Sequence, residues 1–234
     1  MPHRFYCPLL VETGFVTLSD GEAHHLIHVL RLQPDDIVDI FNGQGLCATC
    51  RVTVFRKRDA QLEVLSFQRE DPPRPVVTLA TAVPKGDRFD WLIEKTTELG
   101  VTRLIPLLTA RSIVDPRTSK LDKLRQTVVA ACKQSGRNHL MEIASVTPWS
   151  IFVSQIVPEQ RVFVAHPTGQ ELRTIDCQDA SGSRETVMAI GPEGGFSDDE
   201  IQSALRSGAQ AICLGRRILR IETAAIALAS KFLL

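Results

Sequence analysis

Hydrophobic and polar positions follow two different patterns along this chain, and the change falls near residue 70. In the first part, short apolar runs alternate with polar residues, and one segment has the helical spacing of apolar residues instead. This pattern predicts a helix at 22–31 and strands at 37–42, 46–54 and 60–67. Residues 69–75, REDPPRP, contain three prolines and four charged residues and therefore predict a linker.

The second part alternates apolar strands with helices. VVTLATAV at 76–83 is an almost continuous apolar run, which is typical of a strand covered on both faces. Further strands are predicted at RLIPLL, RVFVAHP, TVMAIGP and AICLG, and helices at 87–99, 119–135, 198–207 and 222–233. This alternation predicts a mostly parallel α/β sheet. We therefore expect a small β-rich domain over residues 1–70 and an α/β domain over residues 74–234.

The net charge of the chain and its distribution limit the kinds of binding partner that we expect. Lysine and arginine total 27 in the 234 residues, and aspartate and glutamate also total 27. A neutral protein is poorly suited to bind polyanions over its whole surface, because counterion release needs many basic side chains. Basic residues nevertheless outnumber acidic ones between positions 103 and 139, where the acidic residues are Asp115 and Asp122. The basic residues of this segment are Arg103, Arg111, Arg117, Lys120, Lys123, Arg125, Lys133 and Arg137. Together with Arg56, Lys57 and Arg58, they indicate either a track for a nucleic-acid backbone or ordinary solvated helix faces.

The sequence also bears on compartment and metal content. It has no run of 18 apolar residues and its first residues lack an apolar signal-peptide core, so we expect a cytoplasmic protein without a membrane span. The six cysteines are scattered, which is typical of reduced thiols. Cys47 and Cys50 form a CxxC pair, but the alternating pattern places them on opposite faces of a strand and the sequence has no second pair. We therefore expect no metal.

Three loops follow predicted strands of the α/β domain, at 165–170, 191–196 and 214–224. Ligands of open α/β sheets bind beyond the carboxyl ends of the strands, so these loops form the candidate site. In GPEGGF at 191–196, a proline and three glycines predict a tight turn that a ligand can approach closely. The turn is also explained by the simple need to connect a strand to a helix.

The residues after this turn argue against a phosphate cradle. Ser197 and Glu200 have the spacing of a capping box, and Asp198 and Asp199 add negative charge to the first turn of the helix. These carboxylates would repel a phosphate, and the sequence contains neither GxGxxG nor GxxxxGK[ST]. The loop better suits a neutral planar group such as an adenine.

The third loop, LGRRILRIETA, carries a concentration of arginines. Arg216, Arg217 and Arg220 lie between an apolar strand and an apolar helix, where an anionic or electron-rich partner would explain them. Glu222 and Thr223 have a simpler explanation, since acidic and capping residues are favoured at a helix start.

Beyond these single features, several motifs resemble one family. They are RFY at 4–6, HHLIHVLRLQPDD at 24–36, DRFDWLIEKTTELGV at 87–101, QSGRN at 134–138, IGPEGGFSDDEI at 190–201 and LGRRILRIETA at 214–224. In this order they resemble the RsmE family of 16S ribosomal RNA uridine-N3 methyltransferases, of the SPOUT class. The resemblance implies an N-terminal PUA-like β-barrel that binds RNA, and a SPOUT-type parallel sheet with a C-terminal trefoil knot. It also implies a homodimer, S-adenosyl-L-methionine as methyl donor, no metal, and 16S rRNA as the partner, in the context of the small ribosomal subunit.

The resemblance also implies roles for individual residues. The implied cofactor-binding residues are His166, Pro167, Gly169, Gly191, Pro192, Glu193, Gly194, Gly195, Leu214, Gly215, Ile218, Leu219 and Thr223. The RNA-binding candidates are Arg4, His24, His25, Arg31, Lys133, Arg137 and Arg217. As a mechanistic hypothesis, Arg220 and Arg4 stabilise the negative charge that develops on the uracil, and either Glu222 or solvent accepts the proton.

Three alternatives remain at this point. A non-catalytic RNA-binding ribosome-assembly factor would bind RNA but no cofactor. A nucleotide-dependent α/β enzyme would use GPEGGF as a phosphate loop, which the acidic helix start disfavours. Another SPOUT enzyme, methylating a ribose 2′-hydroxyl or a different base, would have similar cofactor loops.

Overall fold

The computed structural model describes residues 2–114, 118–176 and 185–234, and the chain divides into two compact units. The first unit comprises Met1–Pro72 and Cys132–Leu140, and the second comprises Pro73–Ala131 and Met141–Leu234. The domain range expected from the sequence, 74–234, includes residues 132–140, whereas the structure packs them into the first unit. Hydrogen bonds account for the difference, because Asn138 receives one from Arg4 and donates one to Glu70.

The first unit is built around a five-stranded sheet. Its elements are β1 (Arg4–Tyr6), β2 (Phe15–Ser19), α1 (Asp20–His24), β3 (Ile37–Phe41), β4 (Leu46–Phe55) and β5 (Asp59–Arg69). Among the described residues the strand order is β1-β3-β4-β5-β2, with β1 parallel to β3 and the other neighbours antiparallel. Alternate side chains of these strands are buried with Phe5 and Leu26 in one apolar core, which explains the alternating pattern of the sequence.

Several details of the first unit differ from the sequence prediction. The predicted helix at 22–31 is a five-residue α-helix that continues as a π-helix over His25–Val29. Strand β1 was not predicted from the sequence, because three residues carry too little periodicity. Strand β2 was also missed, although Val16 and Leu18 alternate with exposed residues as a strand requires. Cys47 and Cys50 lie on opposite faces of β4, as the alternation predicts, with Cys50 fully buried.

The second unit is a parallel α/β layer structure. Its elements are β6 (Val77–Ala82), α2 (Arg88–Leu99), β7 (Arg103–Leu108), α3 (Thr118–Ser135), β8 (Glu142–Ile143), β9 (Thr147–Pro148), α4 (Trp149–Ser154), β10 (Arg161–Glu171), β11 (Thr186–Ile190), α5 (Asp198–Arg206), β12 (Gln210–Cys213) and α6 (Ile221–Leu233). The described strands follow the order β12-β10-β11-β6-β7-β8, with β9 also pairing with β7, and every pair is parallel. The last turn of α3 belongs to the first unit.

Burial and caps explain why these segments form these elements. All six residues of β6 are buried, as expected for an apolar strand in the middle of a parallel sheet. Gly100 ends α2 with a left-handed φ of 104°, a conformation that glycine adopts without steric cost. No helix among the described residues is long and apolar enough to cross a membrane.

Candidate active site

A cavity of about 450 Å³ lies at the carboxyl edge of the sheet in the second unit. Because the strands are parallel, the loops after β10, β11 and β12 leave the sheet at the same edge, and residues of all three line the cavity. Every residue implied as cofactor-binding lines it except Gly169 and Thr223. The volume is within the range of pockets that enclose a ligand of drug or cofactor size.

The loop at 191–196 forms the tight turn that its glycines predict. The N–H of Gly195 donates to the carbonyl of Pro192 at 2.8 Å, and Gly195 has a φ of 68°. At Gly191, a Cβ atom would lie 3.0 Å from a ring carbon of Phe196, so the ring packs directly against the glycine backbone. The loop therefore presents backbone, with little side-chain bulk, to the cavity.

The capping box predicted at the start of α5 is confirmed, and its glutamate also binds a neighbouring loop. The Ser197 hydroxyl accepts from the N–H of Glu200, and Glu200 Oε2 accepts from the N–H of Ser197 at 2.8 Å. Glu200 Oε1 also accepts from the N–H of Ala110 at 2.7 Å, in the loop after β7. One buried carboxylate therefore ties the glycine loop to a neighbouring loop.

Arg111 lines the cavity, whereas the sequence indicates it only as one member of a basic segment. Its Nη1 donates to the carbonyl of Gly194 at 2.6 Å and to that of Phe196 at 3.4 Å. Its side-chain carbons lie against Gly194, where an added Cβ would approach Arg111 Cδ to 3.4 Å. The signal available in the sequence was an arginine just beyond the carboxyl end of β7, at the same edge as the glycine loop.

Acidic and basic groups are both present around the cavity. Glu193 and Asp198 line it on the glycine-loop side, and Arg216 and Arg217 line it on the third loop. The third loop turns at Gly215, which has a φ of 126°, and Ile218 is 97% exposed. Carboxylates beside a helix N-terminus repel phosphate and attract a cationic group, as the sequence suggests.

The segment at 165–170, which the sequence places in a loop, is part of β10. Ala165 and Gln170 both align with Ile212 of β12, so the four residues between them bulge out of the sheet. His166 and Pro167 of this bulge line the cavity, and His166 Nδ1 lies 2.9 Å from the hydroxyl oxygen of Thr168. Gly169 instead faces β12, where a Cβ would lie 2.4 Å from the backbone of Ala211.

The catalytic candidates of the second unit lie beside the cavity and outside its lining. Arg220 is an exposed residue at the N-cap of α6, and Glu222 is buried in the first turn of that helix. A Glu222 carboxylate oxygen lies 3.8 Å from Nε of Arg88 on α2. Thr223, one residue further along α6, is exposed.

Several RNA-binding candidates are engaged inside the first unit. Arg4 donates to Asn138 Oδ1 at 2.6 Å and lies over the Phe41 ring, 5.1 Å from its centroid. Lys133 donates to both carboxylate oxygens of Glu22, at 2.9 and 3.0 Å. Burial lowers the pKa of the half-buried Arg137 guanidinium. By contrast, His24 and Arg31 are exposed and His25 is half-buried.

Two residues of the basic segment at 103–139 form ion pairs with acidic residues outside it. Arg103 lies 3.4 Å from Glu142, and Lys123 Nζ lies 2.7 Å from Asp90. Residues Asp115 and Arg117, and the side chains of Lys120 and Asp122, fall outside the described part of the chain. Within the described residues, no group of three or more His, Cys, Asp or Glu side chains is placed to hold a metal ion.

Comparisons with known proteins match this two-part architecture. A family described as the RNA methyltransferase domain matches residues 70–233, and one described as the RNA methyltransferase PUA domain matches residues 18–65. The ribosomal RNA small subunit methyltransferase E of Synechocystis is 35% identical over 219 residues, covering 93% of this chain and 72% of its own length. The chain belongs to the ribosomal RNA small subunit methyltransferase E family.

Other members of this methyltransferase E family agree in sequence and in structure. The Bacillus subtilis enzyme is 29% identical, with 91% of this chain and 87% of its own length covered. A crystal structure of the Neisseria gonorrhoeae enzyme bound to S-adenosyl methionine superposes with a TM-score of 0.88 at 34% identity, covering 98% of this chain and 95% of that one. The family assignment confirms the resemblance drawn from the motifs, and the mixed α/β fold with a small N-terminal β unit agrees with it.

Proposed function

We propose that this protein transfers the methyl group of S-adenosyl-L-methionine to N3 of a uridine in 16S rRNA, within the small ribosomal subunit. The observation that carries the proposal is the glycine-lined cavity at the carboxyl edge, bordered by the arginines of the third loop. The relatives named for small-subunit ribosomal RNA, one of them solved with S-adenosyl methionine, support it.

The residues of the cavity fit this methyl donor. The backbone of the glycine loop leaves room for a flat adenine, and the cavity volume of about 450 Å³ suits a nucleoside with an amino-acid tail. Glu193 and Asp198 place two carboxylates on one side of the lining, where a sulfonium and an ammonium group are favoured. The implied cofactor residues that line the cavity would hold the donor, and when bound it supplies an electrophilic methyl group and a neutral thioether leaving group.

The chain's own task is to position the uracil and to stabilise charge. The imide proton must leave N3 before this nitrogen becomes a good nucleophile, and negative charge then spreads to the flanking carbonyl oxygens. A guanidinium fixed beside those oxygens stabilises this charge where it develops. Arg220 is our candidate, because its backbone is fixed at the start of α6 while its side chain is exposed.

We assign different roles to the other two catalytic candidates. The Glu222 carboxylate is buried and paired with Arg88, so we assign it to fixing the first turn of α6 and assign the imide proton to solvent. The guanidinium of Arg4 donates a hydrogen bond to Asn138 and lies over the ring of Phe41, so we assign Arg4 a structural role in the first unit. The proposed catalysis therefore depends on Arg220.

The decisive experiment is methylation of small-subunit particles that lack the modification. Particles are incubated with isotopically labelled donor and their RNA is digested to nucleosides, and we expect label in 3-methyluridine. Label in a 2′-O-methyl nucleoside or in another base would favour a different SPOUT activity, and RNA binding without any cofactor binding would favour an assembly factor.

Two substitutions test the assigned parts of the site. Arg220→Ala should lower the methylation rate about 100-fold while leaving the calorimetric affinity for the donor nearly unchanged. Arg206→Ala, an exposed arginine in the last turn of α5, is the matched control. Gly194→Val should abolish donor binding, because the branched side chain fills space against Arg111 and the cavity. Equal losses of rate and donor affinity in Arg220→Ala would reduce Arg220 to a binding residue.

The finer features of the family resemblance belong to the same proposal. A trefoil knot is supported by the strand order, because β12 lies outside β10 while α6 returns to pack on β6 and α2. We also propose the homodimer that the family resemblance implies. We place the reaction in the cytoplasm and expect closure of the first sheet into a PUA-like barrel. Light scattering tests the dimer, and a monomer at micromolar concentration would contradict it.

A further inference from the structure

A second, smaller cavity lies in the first unit, remote in sequence from the residues that line the candidate active site. Its volume is about 230 Å³, and its lining consists of Asp20, His24, Ile27, His28, Lys57 and Arg58. The proposed mechanism does not use this cavity, although the sequence indicates His24, Lys57 and Arg58 individually as residues that could contact RNA. Its lining combines two imidazoles, an ammonium group and a guanidinium with a single carboxylate.

The register of the sheet explains why these residues meet. β2 pairs with β5 so that Ser19 is opposite Asp59. The residue after Ser19 begins α1, and the residues before Asp59 form the tip of the β4–β5 hairpin. The pairing of β2 with β5 therefore brings the start of α1 close to the basic tip of the β4–β5 hairpin.

The helix adds the two histidines on one side. His24 is the last residue of α1 and His28 lies in the π-helix that follows. The centroids of their rings are 4.9 Å apart and the ring planes are tilted by 51°. Single-turn π-helices recur at functional sites in proteins. Both rings are exposed, and Ile27 between them contributes an apolar wall to the cavity.

The cations of this cavity are available for a ligand. Lys57 and Arg58 are exposed, and among the described residues neither forms an ion pair. This contrasts with Lys133 of the same unit, whose ammonium group is held by Glu22. Asp20 is the one carboxylate of the lining, so the two cations leave the cavity with a net positive charge that attracts an anion. A guanidinium is suited to bind phosphate oxygens through two hydrogen bonds.

Taken together, we propose that this cavity binds one nucleotide of the substrate RNA outside the methylated position, with its phosphate on Lys57 and Arg58 and its base against His24 and His28. Exposed aromatic rings bind bases by stacking, and lysine and arginine neutralise the backbone phosphates. The cavity is thus a docking site that holds RNA while the second unit carries out the transfer. This assignment rests on the proposed function, because it takes RNA as the substrate.

The test compares RNA affinity and its salt dependence in matched variants. The double variant Lys57→Ala/Arg58→Ala should bind a labelled 16S rRNA transcript about tenfold more weakly, and its plot of log affinity against log salt should be flatter by about 0.7 for each phosphate that is no longer neutralised. Arg51→Ala removes a basic residue of the same unit that already pairs with Glu63 at 3.6 Å, and it should match the wild type. The charge-conserving variant Lys57→Arg/Arg58→Lys should retain most of the affinity.

A second measurement reports on the histidines directly. Titrating a short oligouridylate into isotope-labelled protein should shift the ring resonances of His24 and His28 in a saturable way. The proposal is overturned if these resonances do not move, or if the double variant and Arg51→Ala have the same affinity and salt slope.

Different results would contradict the proposed methyl-transfer function and the proposed RNA-docking cavity. Calorimetric donor affinity should be unchanged in every variant of this cavity, because the donor site lies in other residues. A wild-type protein that binds neither RNA nor donor would contradict the proposed function as a whole. A wild-type protein that methylates small subunits, with cavity variants indistinguishable from Arg51→Ala, would contradict the docking site alone.

Discussion

Replacement of Gly169 by alanine tests whether this glycine serves the cofactor or the sheet. A Cβ at this position would lie 2.4 Å from the carbonyl carbon of Ala211 and 2.4 Å from the nitrogen of Ile212, whereas ordinary contacts measure 3.4–4 Å. The bulge of β10 would have to move from β12 by about 1 Å, since backbone atoms cannot rotate away as a side chain can. Forced overpacking of this kind costs about 1–3 kcal/mol.

The assay is thermal unfolding with and without the methyl donor. A loss of about 2 kcal/mol should lower the melting temperature of a unit of this size by about 4–8 °C. Gly194→Ala is the matched control, because its nearest neighbour is the flexible Arg111 side chain at 3.4 Å, and it should melt close to the wild type without donor. The packing explanation is refuted if Gly169→Ala melts like the wild type without donor and loses only the stabilisation that the donor adds.

Three further predictions concern single side chains. Lys133→Glu should destabilise the protein by about 1–2 kcal/mol in denaturant unfolding, because the new carboxylate faces that of Glu22, and the exchange Lys133→Glu/Glu22→Lys should recover most of the stability. If the single variant were as stable as the wild type, Lys133 would be available for RNA. The pKa of His25 is lowered from its ordinary value, first by desolvation and then by Lys133, so its NMR titration should have a midpoint below about 6.5 and Lys133→Ala should raise it. Since the unfolded chain then binds more protons, this histidine makes the fold less stable as the pH falls below about 6.5, and a midpoint at or above that value would contradict the assignment. Cys213 lines the donor cavity and should be protected from alkylation by the donor, while Cys50, whose pKa burial raises to about 12, should stay unreactive in the folded protein either way. Unchanged Cys213 labelling at saturating donor would remove this cavity as the donor site.

The fold could be predicted from sequence wherever the periodicity is long or a cap is specific. The parallel sheet followed from apolar runs such as the one that forms β6, and the capping box of Ser197 and Glu200 is present in the structure. The π-helix and the bulge of β10 could not be predicted, because both are local exceptions to a regular hydrogen-bond pattern and leave the hydrophobic spacing almost unchanged. The assignment of 132–140 to the first unit depends on single hydrogen bonds between residues far apart in the chain.

The candidate site could be predicted as a set of loops, while the partners of its charged groups could not. Parallel strands bring their carboxyl ends to one edge, so the grouping of the three loops followed from topology alone. Whether an arginine faces solvent, a carbonyl or a carboxylate is decided in three dimensions. Arg111 hydrogen-bonds loop carbonyls and Glu222 lies beside Arg88, and neither partner is close in sequence.

The stretch 132–140 has a consequence for exchanging parts among relatives. A fragment that ends at Pro72 lacks the polypeptide that supplies Asn138, and both Arg4 and Glu70 lose their partner. The first unit of this protein is therefore not formed by one continuous stretch of the chain. A chimera that replaces the N-terminal segment by that of a relative must therefore also replace Cys132–Leu140 by the nine residues of the same relative. Otherwise the side chains around the buried Asn138 amide will not match it.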